Sequence, residues 1–249
     1  MNPYETDKLL NEYLLFHYGA PTEILPWPGG PHDALDYAVR CVTECLDTKS
    51  LPSSARALDV GCAVGRSSLE LARHCAEVVA FDFSARFIEA AKVLQSGGSL
   101  SYRRVDEGDR FTTLTARIPD GIEAGRVQFE CGDACAMRTD IGTFDVVFAA
   151  NLVDRLPSPE RFLAALPGLV RPGGQLILTS PYTWLAEFTP KEKWIGGRDG
   201  QSTLDGLVAA LEPAFSLRET KDLPFLIREH TRKYQWSVAQ ASIWRRKLI

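Results

Sequence analysis

The stretch Ala57-Leu-Asp-Val-Gly-Cys-Ala-Val-Gly-Arg66 decides how this chain folds. Its apolar approach to Asp59 predicts a buried strand, and Gly61 and Gly65 let the backbone turn sharply at the start of a helix. Amides in such a turn can receive an electronegative group, and the missing Cβ atoms let an adenosyl group lie close to the main chain. The pattern is Gly-x-Ala-x-Gly, not the Gly-x-Gly-x-x-Gly of dinucleotide sites. It predicts a nucleotide-type cofactor turn, with an ordinary structural strand-to-helix turn as the alternative.

Length and composition limit what can be built around this turn. The 249 residues, 45% of them hydrophobic, can bury one substantial core, so we expect one domain over residues 1–249. The formal net charge of -4 provides no general attraction to polyanions, and we expect no nucleic acid partner. The N-terminus lacks a basic and an apolar leader region, and no apolar run is long enough to span a bilayer. We therefore expect a cytoplasmic protein without a membrane partner.

The six cysteines do not form a metal-binding pattern. Cys41 with Cys45 and Cys131 with Cys135 are spaced as in a helix or a loop, not as C-x-x-C, and the histidines do not complete a zinc set. We therefore expect no metal. Cys41 and Cys45 belong to an apolar helical stripe and are expected in the core.

Beyond the glycine turn, short apolar runs alternate with helical patterns. The predicted strands cover residues 57–60, 78–81, 127–131, 144–150, 175–180, 215–219 and 234–244. The predicted helices cover residues 66–74, 84–95, 159–170 and 204–211, with a turn at 171–174 and a peripheral hairpin within 97–125. This order predicts an α/β, Rossmann-like fold with a seven-stranded, mostly parallel sheet and helices on both faces. Residues 1–50 would form an N-terminal helical cap over a core of residues 56–249.

Two acids follow predicted strands at positions suited to a nucleoside. Asp82 lies 17 positions after Gly65, where a carboxylate can accept hydrogen bonds from both ribose hydroxyls. Asp133 lies just beyond the next strand, where it can accept from an adenine amino group. The alternatives are a helix-entry acid at Asp82 and a solvent-facing turn acid at Asp133.

The N-terminal stretch Tyr13-Leu-Leu-Phe-His-Tyr-Gly19 is unusually aromatic. In a helix, Tyr13, Phe16 and His17 share one side, where they either cover a pocket or pack the helix against the sheet. Ligands of open α/β sheets bind at the carboxyl ends of the strands. The loops at 151–155 and 181–184 are therefore expected to line the reacting end of the pocket.

Together, the glycine turn, Asp82, Gly132-Asp-Ala134 and Arg171-Pro-Gly-Gly174 resemble a class I S-adenosylmethionine-dependent methyltransferase. The resemblance implies the fold, the cofactor S-adenosylmethionine and its product S-adenosylhomocysteine, with Asn151 beside the sulfonium. It implies cofactor contacts from Asp59, Gly61, Cys62, Gly65, Arg66, Asp82, Phe83, Ser84, Asp133, Ala134, Asn151 and Leu152. NAD binding is less well supported, because the third glycine of its fingerprint is absent.

A narrower resemblance covers nearly the whole chain, namely to the methyltransferase of ovothiol biosynthesis. It is carried by Asn2-Pro-Tyr-Glu-Thr-Asp7, Tyr13-Leu-Leu-Phe-His-Tyr-Gly19, Gly65-Arg-Ser-Ser68, Asp82-Phe-Ser-Ala-Arg-Phe87, Thr189-Pro-Lys-Glu-Lys-Trp194, Arg228-Glu-His230 and Gln235-Trp236. That family methylates the imidazole π-nitrogen of 5-thiohistidine to give ovothiol A. In many members of that family this unit is fused behind an iron-dependent sulfoxide synthase, a domain that does not fit in 249 residues. We therefore expect a stand-alone enzyme whose substrate comes from a separate sulfoxide synthase and a sulfur lyase.

The methyl group of S-adenosylmethionine is already activated. Its transfer therefore depends mainly on aligning the acceptor with that methyl group and on excluding water. The catalytic candidates are Asn151, His17 and Tyr18, although a lone histidine commonly only packs, and a dedicated base is not required. The substrate-binding candidates are Tyr4, Tyr13, Phe16, His17, Asp154, Tyr182, Trp184, Arg228, Glu229 and His230. Two alternatives remain: a methyltransferase for another small amine, thiol or natural product, and a non-catalytic cofactor-binding module.

Overall fold

The computed structural model describes residues 3–138 and 140–248. The first half of the chain contains α1 (Asp7–Tyr18), α2 (Pro21–Ile24), α3 (Tyr37–Thr43), β1 (Arg56–Val60), α4 (Arg66–Leu71), β2 (Glu77–Asp82), α5 (Ala85–Gln95), β3 (Leu100–Glu107) and β4 (Arg110–Ala116). The second half contains β5 (Val127–Cys131), β6 (Phe144–Ala150), α6 (Pro159–Leu169), β7 (Val170–Ser180), α7 (Thr203–Leu211), β8 (Phe215–His230) and β9 (Lys233–Arg246). Within these residues, no helix combines the length and the apolar character needed to cross a membrane.

The central sheet has seven strands in the order β5-β2-β1-β6-β7-β9-β8. The first five are parallel, and β9 and β8 complete the sheet in antiparallel pairings. Strands such as β1 are buried along almost their whole length because helices cover both faces of the sheet. Helices α3, α4 and α5 pack on one face, and α6 and α7 pack on the other. The predicted α/β fold is confirmed, and Cys41 and Cys45 lie in the core as expected.

Three predicted boundaries are wrong. Strand β7 begins at Val170 and includes the predicted turn at 171–174, because the pairing with β6 jumps from Phe144↔Val170 to Val146↔Gln175 across a bulge. Helix α4 ends at Leu71 instead of residue 74. Strand β8 runs to His230 instead of residue 219, since β9 pairs with it along almost its whole length. The sequence 228–230 therefore belongs to a strand and not to a loop.

The segment 97–125 forms the expected hairpin, with β3 and β4 paired antiparallel. The expectation that it is peripheral is wrong on its inner face. Tyr102 and Ala116 are buried in a cluster with Leu14 of α1, and the amide of Arg103 donates to Asn11 Oδ1 at 2.8 Å. The hairpin therefore packs against α1, because successive side chains of its strands point to opposite faces and one of these faces contacts that helix.

The N-terminal segment is attached to the end of β2 that carries Asp82. Ser84 Oγ donates to the carbonyl of Tyr4 at 3.1 Å, and the amide of Ala85 donates to Glu5 Oε1 at 2.9 Å. Helix α1 then starts at the N-cap Thr6. These contacts hold the aromatic side of α1 over the carboxyl ends of the parallel strands. Asn2, the first residue of the N-terminal motif, lies outside the described residues.

Candidate active site

A cavity of about 540 Å³ opens at the carboxyl ends of β1, β2, β5 and β6, beneath α1 and α3. This is where open α/β sheets bind ligands. The predicted residues that line it are Tyr4, Tyr13, Phe16, His17, Gly61, Cys62, Asp82, Phe83, Asp133, Ala134, Asn151 and Leu152. Lining residues that the sequence did not single out include Tyr37, Ser67, Phe87, Arg155, Glu187, Phe188 and Ile227.

The glycine turn is tied to the end of β2. The amides of Gly61 and Cys62 both donate to the carbonyl of Phe81, at 2.8 and 3.1 Å. Gly61 has φ of 77°, and a Cβ there would lie 2.9 Å from Leu152 Cδ1. Ala63 also adopts a left-handed φ of 49°, which costs a non-glycine residue about 1–2 kcal/mol. The surrounding bonds hold the turn in this conformation and keep its backbone open to the cavity.

Gly65 does not line the cavity. Its φ is 87°, and a Cβ would lie 2.6 Å from the ring of Phe129 on β5. This glycine is needed for close packing between the turn and the sheet. Its predicted contact with a cofactor is replaced by a structural requirement.

The acids after β2 and β5 are held by backbone amides. Asp82 accepts from the amides of Ala63 at 2.9 Å and Ser84 at 2.8 Å, and burial raises the pKa of its carboxyl. Asp133 Oδ1 accepts from the amide of Cys135 at 2.7 Å. Phe83 is 70% exposed at the mouth of the cavity, an unusual position for a large apolar ring. Two fixed carboxylates and an open aromatic face fit the ribose and base of a nucleoside.

Three predicted cofactor residues lie behind the cavity wall. Asp59 is 1% exposed, and its Oδ2 accepts from the hydroxyls of Ser67 at 2.7 Å and Ser68 at 2.6 Å. Burial raises the pKa of Asp59 to about 6. Arg66 pairs with Glu70 at 3.0 Å, and Ser84 caps α5. Asp59 is linked to the cavity through Ser67, which lines it.

A continuous row of rings forms the wall opposite the glycine turn. The ring centroids of Tyr4 and Phe188 are 6.3 Å apart, those of Tyr4 and Tyr13 are 6.2 Å apart, and those of Tyr13 and His17 are 5.7 Å apart. Phe16 continues the row at 5.3 Å from His17. Most of these rings come from α1, so the predicted shared side of that helix faces the pocket. Such a wall suits a flat, aromatic ligand and a nearby cation.

His17 is a neutral group in this wall. Burial, with a smaller effect from Arg66, lowers the pKa of His17 from 6.5 to about 3. Its Nδ1 is buried without a hydrogen-bond partner among the described residues. The neighbouring Tyr18 turns away and donates to the carbonyl of Val64 at 2.8 Å. Tyr18 does not line the cavity, so its predicted catalytic role is not supported by the geometry.

Asn151 follows β6 in a left-handed conformation with φ of 52°. Its Oδ1 accepts from the hydroxyl of Tyr37 at 2.8 Å, and Tyr37 is also 2.8 Å from Thr179 Oγ1. This places a side chain of α3 against the loop after β6. Tyr37 was missed in the sequence, although a hydroxyl within an apolar helical stripe signals a buried hydrogen bond.

Arg155 was also missed, although it ends the loop predicted to line the reacting end. Its Nη1 donates to Asp154 Oδ2 at 2.9 Å and to the carbonyl of Thr183 at 2.6 Å, and its guanidinium lies 5.2 Å from the centre of the Phe188 ring. The predicted substrate residue Asp154 is fully buried and does not line the cavity. It positions Arg155 instead.

The remaining predicted substrate residues lie outside the cavity lining. Tyr182 donates to Gln240 Oε1 at 3.0 Å, and Trp184 donates to Thr203 Oγ1 at 2.9 Å. Arg228 is buried and donates to the carbonyl of Glu23 at 2.9 Å and to Asp106 at 3.2 Å. The structure places all three outside the cavity lining. Arg228 lies there because β8 extends as a strand and joins it to α2 and the β3–β4 hairpin.

Glu229 and His230 belong to the same end of the β8–β9 hairpin. Glu229 pairs with Lys233 at 2.8 Å and accepts from Gln235 at 3.0 Å. His230 Nδ1 accepts from the amide of Arg232 at 3.3 Å. Both side chains stabilise the hairpin, and neither lines the cavity.

Comparison with known proteins identifies a family match over the middle of the chain. Residues 58–178 match the family model described as "Methyltransferase domain". The matched residues make up just under half of the chain. The matched stretch contains the glycine turn, Asp82, Asp133, Asn151 and Arg155.

Two relatives are ubiquinone biosynthesis O-methyltransferases. The protein of Xanthomonas euvesicatoria pv. vesicatoria is 28% identical over 153 residues, which cover 61% of this chain and 53% of that protein. The protein of Xylella fastidiosa is 30% identical over 164 residues, which cover 65% and 56%. The chain therefore spans just over half the length of these relatives.

Solved structures share the fold at low sequence identity. The N-methyltransferase NodS of Bradyrhizobium japonicum, solved with S-adenosyl-L-homocysteine, has a TM-score of 0.54 at 15% identity and covers 95% of this chain and 98% of its own. The [4+2]-cyclase SpnF has a TM-score of 0.60 at 17% identity and covers 98% and 94%. The shared fold is that of class I methyltransferases. The match to a methyltransferase domain supports S-adenosylmethionine as the cofactor.

Proposed function

We propose that the protein uses S-adenosylmethionine to methylate the imidazole π-nitrogen of 5-thiohistidine. The observation that carries the proposal is the row of rings around neutral His17, which faces the cofactor side of one cavity. The resemblance to the ovothiol family supplies the acceptor. The cofactor supplies an activated methyl group, to which a nitrogen lone pair bonds as the carbon–sulfur bond breaks.

The protein itself positions the acceptor ring and excludes water from the site. Tyr13 and Phe16 provide flat faces on which an imidazole ring can lie, and Asn151, fixed by Tyr37, provides a polar group beside the methyl path. His17 is neutral through the physiological range. It can therefore form a hydrogen bond with the neutral imidazole of the substrate without taking the proton of that ring. Neutral His17 therefore favours an unprotonated, nucleophilic acceptor ring.

Selectivity for nitrogen requires that the substrate sulfur be held off the methyl axis. Sulfur is the softer nucleophile, so orientation in the pocket must decide the product. The rings of Tyr13 and Phe16, whose centroids lie 5.7 and 5.3 Å from that of His17, would favour acceptor poses parallel or edge-on to them. Regiochemistry of the product is therefore a direct readout of the pose.

A second candidate function is O-methylation of a phenol. It is favoured by the names of the ubiquinone biosynthesis relatives, which match 61–65% of this chain. The same ring wall accommodates a phenol. Unlike N-methylation of an imidazole, O-methylation of a phenol would need a group in the site that accepts the proton of the hydroxyl.

The test is incubation with S-adenosylmethionine and 5-thiohistidine, with histidine and a catechol as parallel acceptors. Mass analysis measures methyl transfer, and nuclear magnetic resonance locates the new methyl group. We expect turnover of 5-thiohistidine to the π-N-methyl product and little transfer to histidine. An S-methyl product would refute the pose, and transfer to the catechol alone would establish the second function. The Asp82→Ala variant serves as a control that lacks the cofactor-side carboxylate.

A further inference from the structure

Arg155 differs in charge from everything else in the cavity wall. Among the described residues that line the cavity, it is the single arginine or lysine, while Asp82, Asp133 and Glu187 contribute carboxylates. A substrate that carries a carboxylate would meet repulsion at most of this wall. Arg155 is the one place where it would find a fixed positive charge.

The guanidinium is preorganised. Its Nη1 donates to the carbonyl of Asp154 at 3.0 Å, to Asp154 Oδ2 at 2.9 Å and to the carbonyl of Thr183 at 2.6 Å. Asp154 is itself fixed, since its Oδ2 also accepts from the amide of Thr183 at 2.9 Å. These contacts converge on one of the three guanidinium nitrogens. The planar fork is thereby held in one orientation before a ligand arrives, which reduces the entropy lost on binding.

The position of Arg155 suits the polar end of a ring-bearing substrate. It lies over Phe188, at one end of the row of rings. Burial raises the pKa of the Tyr4 hydroxyl, and the charge of Arg155 together with a hydrogen bond between the two side chains opposes that rise. In the chain it follows Asn151 by four residues on the same loop. A ring held at Tyr13 would therefore extend a short polar substituent toward Arg155.

We infer that Arg155 binds the carboxylate of an α-amino acid substrate and that Glu187, beside Phe188, receives its ammonium group. The inference rests on the proposed function and deepens it, because it assigns the end groups that distinguish an amino acid from a plain heteroaromatic amine. Arginine and carboxylate form paired, charge-assisted hydrogen bonds. Arg228 was a substrate-binding candidate by residue type, but it lies outside the cavity lining.

The test compares Arg155→Gln with wild type on two acceptors, 5-thiohistidine and its decarboxylated amine. Loss of hydrogen bonds to a charged group predicts a rise in KM for 5-thiohistidine of about 10- to 100-fold. KM for the decarboxylated amine should change less than about 3-fold. Arg155→Lys keeps the charge but not the fork, and should recover part of the loss. Arg218→Gln removes an exposed arginine outside the cavity lining and should leave both KM values unchanged.

The outcomes separate the two proposals. Equal losses of Arg155→Gln on both acceptors would show that Arg155 only supports the loop, which overturns this inference while the proposed function stands. Wild-type turnover of neither acceptor would overturn the proposed function and this inference with it. A thermal melt of Arg155→Gln is the folding control, and Arg155→Lys carries the test if Arg155→Gln does not fold, because both a loop-supporting role and misfolding would reduce activity on both compounds.

Discussion

Replacing Tyr37 with Phe removes one hydroxyl from beneath the reacting end of the cavity. That hydroxyl lies 2.8 Å from Asn151 Oδ1 and 2.8 Å from Thr179 Oγ1, and Tyr37 is only 2% exposed. Its ring packs on Phe225 at 4.8 Å and keeps this contact in the variant. Two buried hydrogen bonds at about 1 kcal/mol each predict a loss of about 2 kcal/mol of stability. For a chain of this size, Tm should fall by about 4–8 °C.

The same substitution should reduce kcat more than it changes the affinity for cofactor. Asn151 loses the donor that orients its side chain, and a displacement of about 1 Å at such a position costs up to about 100-fold in rate. Differential scanning fluorimetry measures Tm, steady-state methyl transfer measures kcat and KM, and calorimetry measures the affinity for S-adenosylhomocysteine. Tyr182→Phe is the matched control, because it removes one hydrogen bond to Gln240 outside the cavity lining. A Tyr37→Phe variant with a lower Tm but a wild-type kcat would refute the positioning role.

Three further substitutions test the site. Asp82→Ala removes a carboxylate suited to both ribose hydroxyls, so calorimetry should show S-adenosylhomocysteine binding at least about 10-fold weaker; unchanged affinity would contradict that role. His17→Gln should reduce sensitivity to acid. The pKa of His17 is lowered on folding from 6.5 to about 3, so neutral His17 contributes stability above pH 6.5 that is lost as the pH falls toward 3. Thermal melts between pH 7.5 and 4 should show a smaller loss in the variant, and parallel losses would count against a buried neutral imidazole. Gly65→Ala places a Cβ 2.6 Å from Phe129 at a φ of 87° and should lower Tm by several degrees, whereas Gly125→Ala, with open space around it, should not.

The cofactor half of the site could be predicted from the sequence because it is made of short, local segments. Gly61 directly follows β1 and Asp82 is the last residue of β2, and neighbouring parallel strands bring their carboxyl ends to one edge of the sheet. The order of strands and helices then predicts which loops meet. Asp133 and Asn151 reach the cavity by the same rule.

The substrate half could not be predicted in this way. Arg228 and Arg155 are both arginines near plausible loops, and only the tertiary structure separates them. Arg228 donates its hydrogen bonds to Glu23 and Asp106, which lie more than a hundred residues away in the chain. Arg155, in contrast, lines the cavity. Strand β8 decides this outcome, because its pairing with β9 extends the sheet through residues 228–230.

The sequence by itself determined the fold class, the glycine turn and the side of α1 that carries Tyr13, Phe16 and His17. These features depend on hydrophobic periodicity and on residues a few positions apart, and both can be recognised in the amino-acid sequence. Only the tertiary structure decided that Tyr37 fixes Asn151 and that Gly65 serves packing. Those roles depend on contacts between distant segments, and burial and hydrogen-bond partners exist only once the sheet brings the segments together.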